Sequence, residues 1–350
     1  MLNTALISRN LARLLRRGSS QLSDFATERH TICPAEETSR PPALYPEGAM
    51  ERVTALSPWR DWEVERGLIE GSPVEHAATE ALLVPDVVLA GAYIYRGGAK
   101  ERVGIGPARM LDPALPPALT LPEAHLVSTW TGADFFGNFI QDSLPLELIP
   151  KPDEPRIGAP TKPYLHEAGY RDLLDLPAPP MPGHARIARL TLYRDFSQNS
   201  YKVARYEELR SRLRAHLAPA RPARGVFLRR GTAHGEPRQL VNEDALAELL
   251  EREGFDIIAV EKTSAAEILR RALDASVVVA VEGSHLSHAI YTLAKGGSFL
   301  VIQPPDRFAM PYKEYADCMG MKFGFVVGLP SGTGFAVDLD EIKPMLERLT

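Results

Sequence analysis

The sequence is poor in cysteine and has no spacing that would pair the cysteines it has. Cys33 and Cys318 are the only two in 350 residues, and they stand far apart and outside any CxxC pattern. The sequence therefore supports neither a disulfide framework nor a zinc site of common spacing. A reducing cytoplasm is the simplest compartment for such a chain.

Long apolar runs and an excess of positive charge are also absent. No apolar segment reaches the roughly 20 residues that a membrane-spanning helix needs. The net charge of −5 gives no reason to expect nucleic acid as a partner, because nucleic-acid binders usually carry a basic field. With 45% hydrophobic and 24% charged residues, the composition is that of a soluble globular protein of about two domains.

Several catalytic motifs are missing as well. No Gly-x-Gly-x-x-Gly follows a predicted strand, which disfavours a nicotinamide enzyme, and no Gly-Lys-Ser/Thr follows residues 231–235, which excludes a Walker loop. Residues 282–285 are only superficially similar to a Gly-x-Ser-x-Gly elbow. Asp338-Leu339-Asp340 matches a bare Asp-x-Asp metal–nucleotide pattern, but it opens the last predicted helix, where acidic residues are favoured anyway.

The first 80 residues are interpreted as a partly irregular N-terminal extension. Residues 1–17 combine leucines with four arginines and lack the unbroken apolar core of a signal peptide. Two interpretations stay open for them: a helix that is docked or frayed, and a basic amphipathic helix in peripheral contact with an anionic membrane. Residues 34–48 are rich in proline and are expected to be irregular.

Residues 81–220 are predicted to form an N-terminal, acceptor-side α/β domain. Strands are expected at Leu82–Tyr95 (with a turn), at His125–Trp130 and at Ile187–Tyr193. The spacing of aromatic and aliphatic residues predicts a helix over Phe135–Leu144, capped near Asp134 and ended or kinked by Pro145. The segment Ala218–Arg224 is the candidate linker to the next domain.

Strands alternate with helices in the second half, which predicts a parallel, doubly wound sheet. This pattern defines a Rossmann-like domain over residues 221–310, closed by a segment over 311–350. The predicted strands are Gly225–Leu228, Phe255–Val260, Val277–Val281, Phe299–Gln303 and Phe323–Val327; the predicted helices are Asn242–Glu253, Ser264–Leu273, Leu286–Ala294 and Asp338–Leu349. Ligands of such sheets bind beyond the carboxyl ends of the strands.

Polar residues follow two of these predicted strands. Arg229 and Arg230 come directly after one strand, where guanidinium groups can bind phosphate. Arg238 and Asn242 lie at a loop-to-helix junction, and a simple capping role for Asn242 stays open. The four residues from Glu282 to His285 form a turn that leads into a predicted helix N-terminus, a position that favours phosphate.

The turn itself favours a phosphate or sugar ligand over a metal ion. Gly283 allows a sharp turn or the close approach of a ligand, and Ser284 follows it. His285 and His288 share roughly one helix face, but two histidines alone do not make a metal site, and Glu282 as a third metal ligand is the less favoured alternative. In the first half Trp130, Asp134, Asn138 and Asp142 form a further polar group. A carboxylate among aromatic side chains can act as a general base, and a core helix with a polar edge is the alternative.

Taken together, and in their order along the chain, these residues resemble glycosyltransferase family 61, the capsular-polysaccharide-biosynthesis-like group. The resemblance covers Tyr93–Arg307. The strongest parts are residues 226–230, 238, 242–243, 254–255 and 275–304, together with Phe136–Pro145, which is similar to a Gly-His-Trp-x-x-Asp-x-Leu-Pro stretch of the family. The chain departs from the family pattern at Asn138, where His is common, and at Glu282 and His288, where the turn commonly has His and Asn. These changes are compatible with a divergent bacterial subgroup, an altered donor or lost activity.

The resemblance implies a GT-B architecture, in which two Rossmann-like domains face a central cleft. It implies inverting transfer from a nucleotide sugar, without a metal or other cofactor, to a hydroxyl of a surface polysaccharide or glycoconjugate. The donor would be held by residues 229, 230, 238, 242, 282–285 and 288; Trp130 and Asn138 would lie on the acceptor side. Asp142, which matches the family motif better than Asp134, is the first candidate for the base.

Two other classes of function stay open. One is a non-catalytic nucleotide- or glycan-binding partner of a polysaccharide assembly complex. The other is a different sugar-modifying enzyme, such as a pyruvyl transferase or an epimerase. The expected location is cytoplasmic, with peripheral contact at the inner face of the membrane as an open variant.

Overall fold

The computed structural model describes residues 21–107, 118–218, 224–231 and 238–350. The predicted N-terminal amphipathic helix and most of the predicted linker at 218–224 lie outside these residues. The strands are β1 Glu28–Cys33, β2 Glu36–Thr38, β3 Val74–His76, β4 Thr79–Ala90, β5 Tyr93–Arg96, β6 Ala99–Arg102, β7 Leu119–Leu126, β8 Arg156–Ile157, β9 His184–Arg194, β10 Gly225–Arg229, β11 Phe255–Ala259, β12 Val277–Val281, β13 Ser298–Gln303, β14 Lys322–Val327, β15 Leu329–Ser331 and β16 Gly334–Ala336.

The α-helices are α1 Trp62–Glu70, α2 Trp130–Asp134, α3 Phe136–Asn138, α4 Leu144–Leu146, α5 Glu167–Leu174, α6 Ser200–His216, α7 Glu243–Arg252, α8 Ala265–Ala272, α9 Pro311–Cys318 and α10 Ile342–Leu349. Short 3-10 turns cover Leu22–Phe25, Met50–Arg52, Val260–Lys262, Ser284–Ala289 and Leu339–Glu341, and a π-helical turn covers Phe139–Ser143. Within the described residues, none of these helices combines the length and apolar character required to span a bilayer.

The chain divides into two compact units, each assembled from separate segments. The first unit comprises the described part of Met1–Ala35 together with Ala77–Leu165 and Asp175–Arg205. The second comprises Glu36–His76, His166–Leu174 and the described parts of Tyr206–Thr350. The domain boundaries predicted at residues 80, 220 and 310 stay predictions.

The first unit is built on a mixed, seven-stranded sheet in the order β6-β5-β4-β9-β7-β8, with β1 paired to β4. The long strands β4 and β9 are antiparallel, whereas β7 runs parallel to both β8 and β9. The sheet therefore differs from the parallel, Rossmann-like sheet expected for this half. Tight turns join β4 to β5 and β5 to β6, and such short connections can link only antiparallel strands.

The second unit contains the predicted parallel sheet, in the order β11-β10-β12-β13-β14. All five residues of β12, Val277–Val281, are buried, as expected for a strand covered on both faces. The chain passes from β10 to β11 on one side and then crosses back to β12 on the other. This is the doubly wound order whose ligand site lies at the switch point, here between β10 and β12.

Two predicted helices take other forms. The segment Leu286–Ala294 is a 3-10 turn followed by irregular turns, and residues 286–293 are all buried there, so the segment has no solvent-exposed face. The predicted helix Phe135–Leu144 begins one residue later, after extended backbone at Phe135, and runs through α3, the π-helical turn and α4 without a break. The preceding helix α2 is capped by Thr129, whose hydroxyl accepts a hydrogen bond from the amide of Gly132.

Part of the predicted N-terminal extension is an ordered element of the second unit. Residues 43–58, which we name the strap, hold to the parallel sheet and its loops by main-chain hydrogen bonds. Leu44 exchanges two such bonds with Phe323 and Phe325 at the edge strand β14. Arg52 forms a two-pronged ion pair with Glu341 and also donates to the carbonyl of Val327.

Candidate functional site

The switch point of the parallel sheet brings together two of the predicted segments. Leu228 of β10 pairs with Ala280 of β12, so the residues that follow these strands lie side by side. The Nη1 atoms of Arg230 and Arg238 both donate to the main-chain carbonyl of Glu282, at 3.2 and 2.8 Å. Arg230, Arg238, Glu282 and Gly283 form what we name the arginine cluster.

The arginine cluster is a buried site with more positive than negative charge. Glu282 Oε2 lies 2.9 Å from Nη1 of Arg238. Burial raises the pKa of the Glu282 carboxyl above its ordinary value, although the neighbouring arginines act in the opposite direction. Burial and the charge of Arg238 lower the pKa of Arg230 to about 10. Each cation here costs free energy of solvation that a bound anion would offset.

One donor of the cluster is unused within the described residues. The Nε–H of Arg238 is buried and has no hydrogen-bond acceptor among them. A buried guanidinium donor without a partner is costly in a folded protein and calls for a ligand or a water molecule. Phosphate oxygens are the acceptors that guanidinium groups match best.

Gly283 allows the two arginines to approach the main chain. Its φ of +153° is a conformation that other residues rarely adopt, and a Cβ atom there would lie 2.8 Å from the Nη1 atoms of both Arg230 and Arg238. Ser284 follows with an exposed side chain and opens a 3-10 turn rather than the predicted α-helix. The predicted turn is therefore confirmed as a structural feature, while its proposed ligand remains a prediction.

Arg307 belongs to the same surroundings and was not predicted. It lies on the loop after β13, and its charge acts on the pKa of both Glu282 and Arg230. Together with Arg238 it lines a pocket of about 340 Å³. A signal for it was available, because Pro304–Arg307 directly follows a predicted strand, just as Arg229 and Arg230 do.

Two predicted donor-binding residues are engaged elsewhere. The Arg229 guanidinium forms ion pairs with Glu243, at 2.9 Å, and Asp244, at 2.7 Å, in the first turn of α7. The side-chain amide of Asn242 donates to the carbonyl of Val337 and accepts from its amide, at 2.8 and 3.1 Å. Asn242 thus ties the start of α7 to a following segment and does not use its side chain as a helix cap.

The two histidines of the turn are buried and neutral. Burial and the nearby charges of Arg230 and Arg238 lower the pKa of His285 to about 3. His288 is 1% exposed, and its Nδ1 lies 2.9 Å from the hydroxyl of Tyr170. Burial lowers its pKa well below the ordinary value. The described residues contain no group of three or more His, Cys, Asp or Glu side chains arranged to hold a metal ion.

In the first unit, Asp142 is held by a buried ion pair. Its Oδ1 lies 2.8 Å from Nζ of Lys202, which is fully buried, and its Oδ2 accepts a hydrogen bond from Asn138 at 2.9 Å. Lys202 also donates to the carbonyl of Asp195 at 3.1 Å. Asn138 and Asp142 are therefore brought together as predicted, but Lys202, which lies 60 positions further along the chain, was not foreseen.

Asp134 and Trp130 form a second, more accessible group. The Asp134 carboxylate is paired with Lys162, whose side chain is 53% exposed, and lies 3.6 Å from the Arg102 guanidinium. Arg102 also lies over the ring of Trp130, at 5.2 Å from its centre. The two candidate bases thus differ in surroundings: Asp142 has a buried cation beside it, and Asp134 has cations that reach solvent.

Comparison with curated proteins finds no relative of this chain. A comparison with protein-family models gives a match to the family described as Glycosyltransferase 61 over residues 136–300. The matched range contains the arginine cluster and the Asn138–Asp142 pair. It ends before Arg307 and begins after the strap. Residues 136–300 belong to the glycosyltransferase 61 family.

Proposed function

We propose that this glycosyltransferase moves a sugar from a nucleotide-sugar donor to a hydroxyl of a surface polysaccharide or glycoconjugate, with inversion at the anomeric carbon and without a metal ion. The buried Nε–H of Arg238, which has no acceptor among the described residues and lies beside Arg230, is the observation that carries the proposal. It indicates an anionic ligand at the switch point of the parallel sheet, and the diphosphate of a nucleotide sugar has the charge and oxygen acceptors required.

In this proposal the arginine cluster stabilises the leaving group. Charge develops on the nucleoside diphosphate as its bond to the anomeric carbon breaks, and preorganised cations in a buried site are effective against such charge. Gly283 keeps the cluster open to the phosphate oxygens, because a side chain there would displace both guanidinium groups. Ser284, whose side chain is exposed, is proposed to contact the sugar or phosphate through its hydroxyl.

The acceptor side of the proposal rests on the first unit. A carboxylate takes the proton of the acceptor hydroxyl as that oxygen attacks the anomeric carbon from the face opposite the leaving group. Asp142 is proposed for this step before Asp134, with Trp130 and Asn138 as acceptor-side residues. Of the GT-B architecture expected from the family resemblance, the proposal keeps the Rossmann-like donor domain, whereas the mixed sheet of the first unit departs from a second Rossmann-like domain.

Calorimetric titration with nucleoside diphosphates and nucleotide sugars tests the donor site. At least one ligand is expected to bind below millimolar concentration, and Arg238→Met should weaken it by about tenfold or more, since hydrogen bonds to charged groups are worth about 1.5–3 kcal/mol. Arg271→Met is the matched control. Arg271 lies on α8 and is paired with Asp256 of β11, so its loss should leave the affinity unchanged. Absence of binding by every donor at millimolar concentration would reject the proposal.

A second function, a non-catalytic nucleotide- or glycan-binding protein, is favoured by one observation. Both candidate bases are ion-paired with lysines, Asp142 with Lys202 and Asp134 with Lys162, so a carboxylate oxygen that would have to approach the acceptor hydroxyl is already in contact with a cation. Mass spectrometry of the acceptor separates the two functions. A gain of one hexose or pentose mass supports transfer, whereas donor binding without any product supports the non-catalytic role.

A further inference from the structure

The strap holds the loop that carries Arg307. The amide of Thr54 donates to the carbonyl of Pro305 at 2.7 Å, and the amide of Ser57 donates to the carbonyl of Phe308 at 2.9 Å. In the opposite direction, the Phe308 amide donates to the carbonyl of Ala55 at 2.9 Å. These bonds fix the main chain on both sides of Arg307, so a segment outside the family-matched range positions a cation near the arginine cluster.

The strap also supplies walls of the pocket that Arg238 and Arg307 line. Leu56 and Pro58 contribute from the strap, and the other apolar walls are Pro304, Pro305, Pro330 and Phe335. The volume of about 340 Å³ lies within the range of roughly 300–1,000 Å³ typical of small-molecule sites. The pocket thus combines flat apolar surfaces with two guanidinium groups.

This combination matches the two parts of a nucleoside diphosphate. A base is flat and packs well against proline rings and aliphatic side chains, whereas the phosphates require cations. Asp306 also lines the pocket, and its carboxylate can accept hydrogen bonds from ribose hydroxyls but would repel phosphate. An arrangement with the nucleoside in the pocket and the diphosphate on the arginines satisfies all of these groups.

We propose that the strap completes the donor site, with Leu56 packed against the nucleoside of the donor. The inference rests on the proposed function and adds the location and apolar character of the nucleoside subsite. Leu56 and Pro58 lie before the residues matched by the family model. Affinity and selectivity for the base are therefore set partly by a segment that lies outside the family-matched range.

Two probes separate the nucleoside contact from the phosphate contact. Calorimetry is carried out with inorganic pyrophosphate and with the uridine, guanosine, cytidine and adenosine diphosphates. Leu56→Trp, which places a large side chain in the pocket, should weaken the best nucleoside diphosphate by about tenfold or more but change pyrophosphate binding by less than about twofold. Trp59→Ala is the matched control: Trp59 directly follows the strap, is 74% exposed and is not among the residues that line the pocket.

A milder variant protects the test against misfolding. Leu56→Ala should weaken the nucleoside diphosphate by about fivefold, because it removes apolar contact area without adding bulk. If the tryptophan variant unfolds at a lower temperature than the parent, the alanine variant decides the question.

The outcomes are distinct for the two proposals. Nucleoside diphosphate affinity that is unchanged in both Leu56 variants, but lost in Arg238→Met, would overturn the strap inference and leave the proposed function standing. Equal losses for pyrophosphate and for the nucleoside diphosphate would also overturn it, because they would show a disturbed arginine cluster. No binding of any nucleoside diphosphate by the parent protein would overturn both.

Discussion

The side chain and the main chain of Glu282 hold the same nitrogen of Arg238. Nη1 of Arg238 lies 2.9 Å from the Glu282 carboxylate and 2.8 Å from the Glu282 carbonyl oxygen. This double contact fixes the guanidinium while Nε–H remains without an acceptor in the described residues. The acidic residue that departs from the family pattern thus serves to orient a cation, which reconciles its negative charge with an anion-binding site.

Glu282→Gln is expected to stabilise the protein at neutral pH. The folded pKa of Glu282 is raised above 4.5, so its contribution to stability is present when the carboxyl is protonated and is lost as pH rises through the folded value. Glutamine is uncharged at every pH and keeps a similar shape. Urea unfolding at pH 7 should give a higher free energy of unfolding for the variant than for the parent, and the gain should shrink toward pH 4.5. A loss of stability at pH 7 that persists at pH 4.5 would contradict the prediction.

Gly283→Ala is expected to weaken phosphate binding far more than it destabilises the fold. The new Cβ would lie 2.8 Å from Nη1 of both Arg230 and Arg238, so the two cations must shift. Pyrophosphate affinity, measured by calorimetry, should fall by about tenfold or more.

Gly296→Ala is the control for that change. Gly296 also has a positive φ, of +69°, but no atom lies within 4 Å of its added Cβ. An alanine at either positive φ is strained by about 1–3 kcal/mol, but only Gly283→Ala also places a Cβ against the two arginines. Equal pyrophosphate affinities in the two variants would argue against a phosphate site at Gly283.

Asp142→Asn is expected to cost more stability than Asp134→Asn. Removing the Asp142 charge leaves Lys202 buried with a cation that has lost its counter-charge, and such losses cost about 3–5 kcal/mol. Asp134 is paired with Lys162, which is about half exposed, and surface pairs are worth about 0–1 kcal/mol. Chemical denaturation of both variants measures the difference.

The same two variants also bear on catalysis. If Asp142 is the base, Asp142→Asn should lower kcat by about 10²-fold or more while nucleotide affinity stays within about twofold. Comparable losses of activity and of folded fraction would instead assign Asp142 a structural role.

The parallel sheet was predictable because its signal is local. An unbroken apolar run such as Val277–Val281 indicates a strand buried on both faces, and the alternation of strands with helices indicates that the strands are parallel. The mixed sheet of the first unit was not predictable in the same way, since β4 and β9 pair residues more than a hundred positions apart, for example Glu80 with Arg194. Helical spacing also failed within the core, where residues 286–293 are all buried, polar side chains included.

In the candidate site, too, the features with a local sequence signal were predictable and those made by long-range contacts were not. Residues that follow neighbouring parallel strands meet at the same edge of the sheet. This expectation needs only the positions of the strand ends, and it correctly predicted that Arg230 and Gly283 lie together. The same expectation applies to Arg307, which follows the predicted strand Phe299–Gln303. Lys202 and the strap could not be found from local patterns, since their contacts with Asp142 and Phe308 span long stretches of chain. Sequence patterns place residues at an edge but do not show which side chains are already paired, as Arg229 and Asn242 are.

The buried histidines predict a loss of stability as pH falls. His285 has a folded pKa of about 3 and that of His288 is well below 6.5, so both stay neutral in the folded protein. The unfolded chain takes up protons near pH 6.5, and the stability from these depressed values is present above that pH and is lost as pH falls below it. Each histidine contributes up to about 1.4 kcal/mol per pH unit.

Urea unfolding between pH 7.5 and 4.5 measures how the free energy of unfolding changes with pH. His288→Gln should reduce this slope by the amount that corresponds to about one proton taken up on unfolding. Because Glu282 acts in the opposite direction, the informative quantity is the difference between variant and parent at each pH. His30→Gln, at an exposed position, is the control and should leave the slope unchanged. If His288→Gln and His30→Gln have the same slope, His288 is accessible to protons in the folded protein, and the aromatic packing around it is looser than its 1% exposure implies.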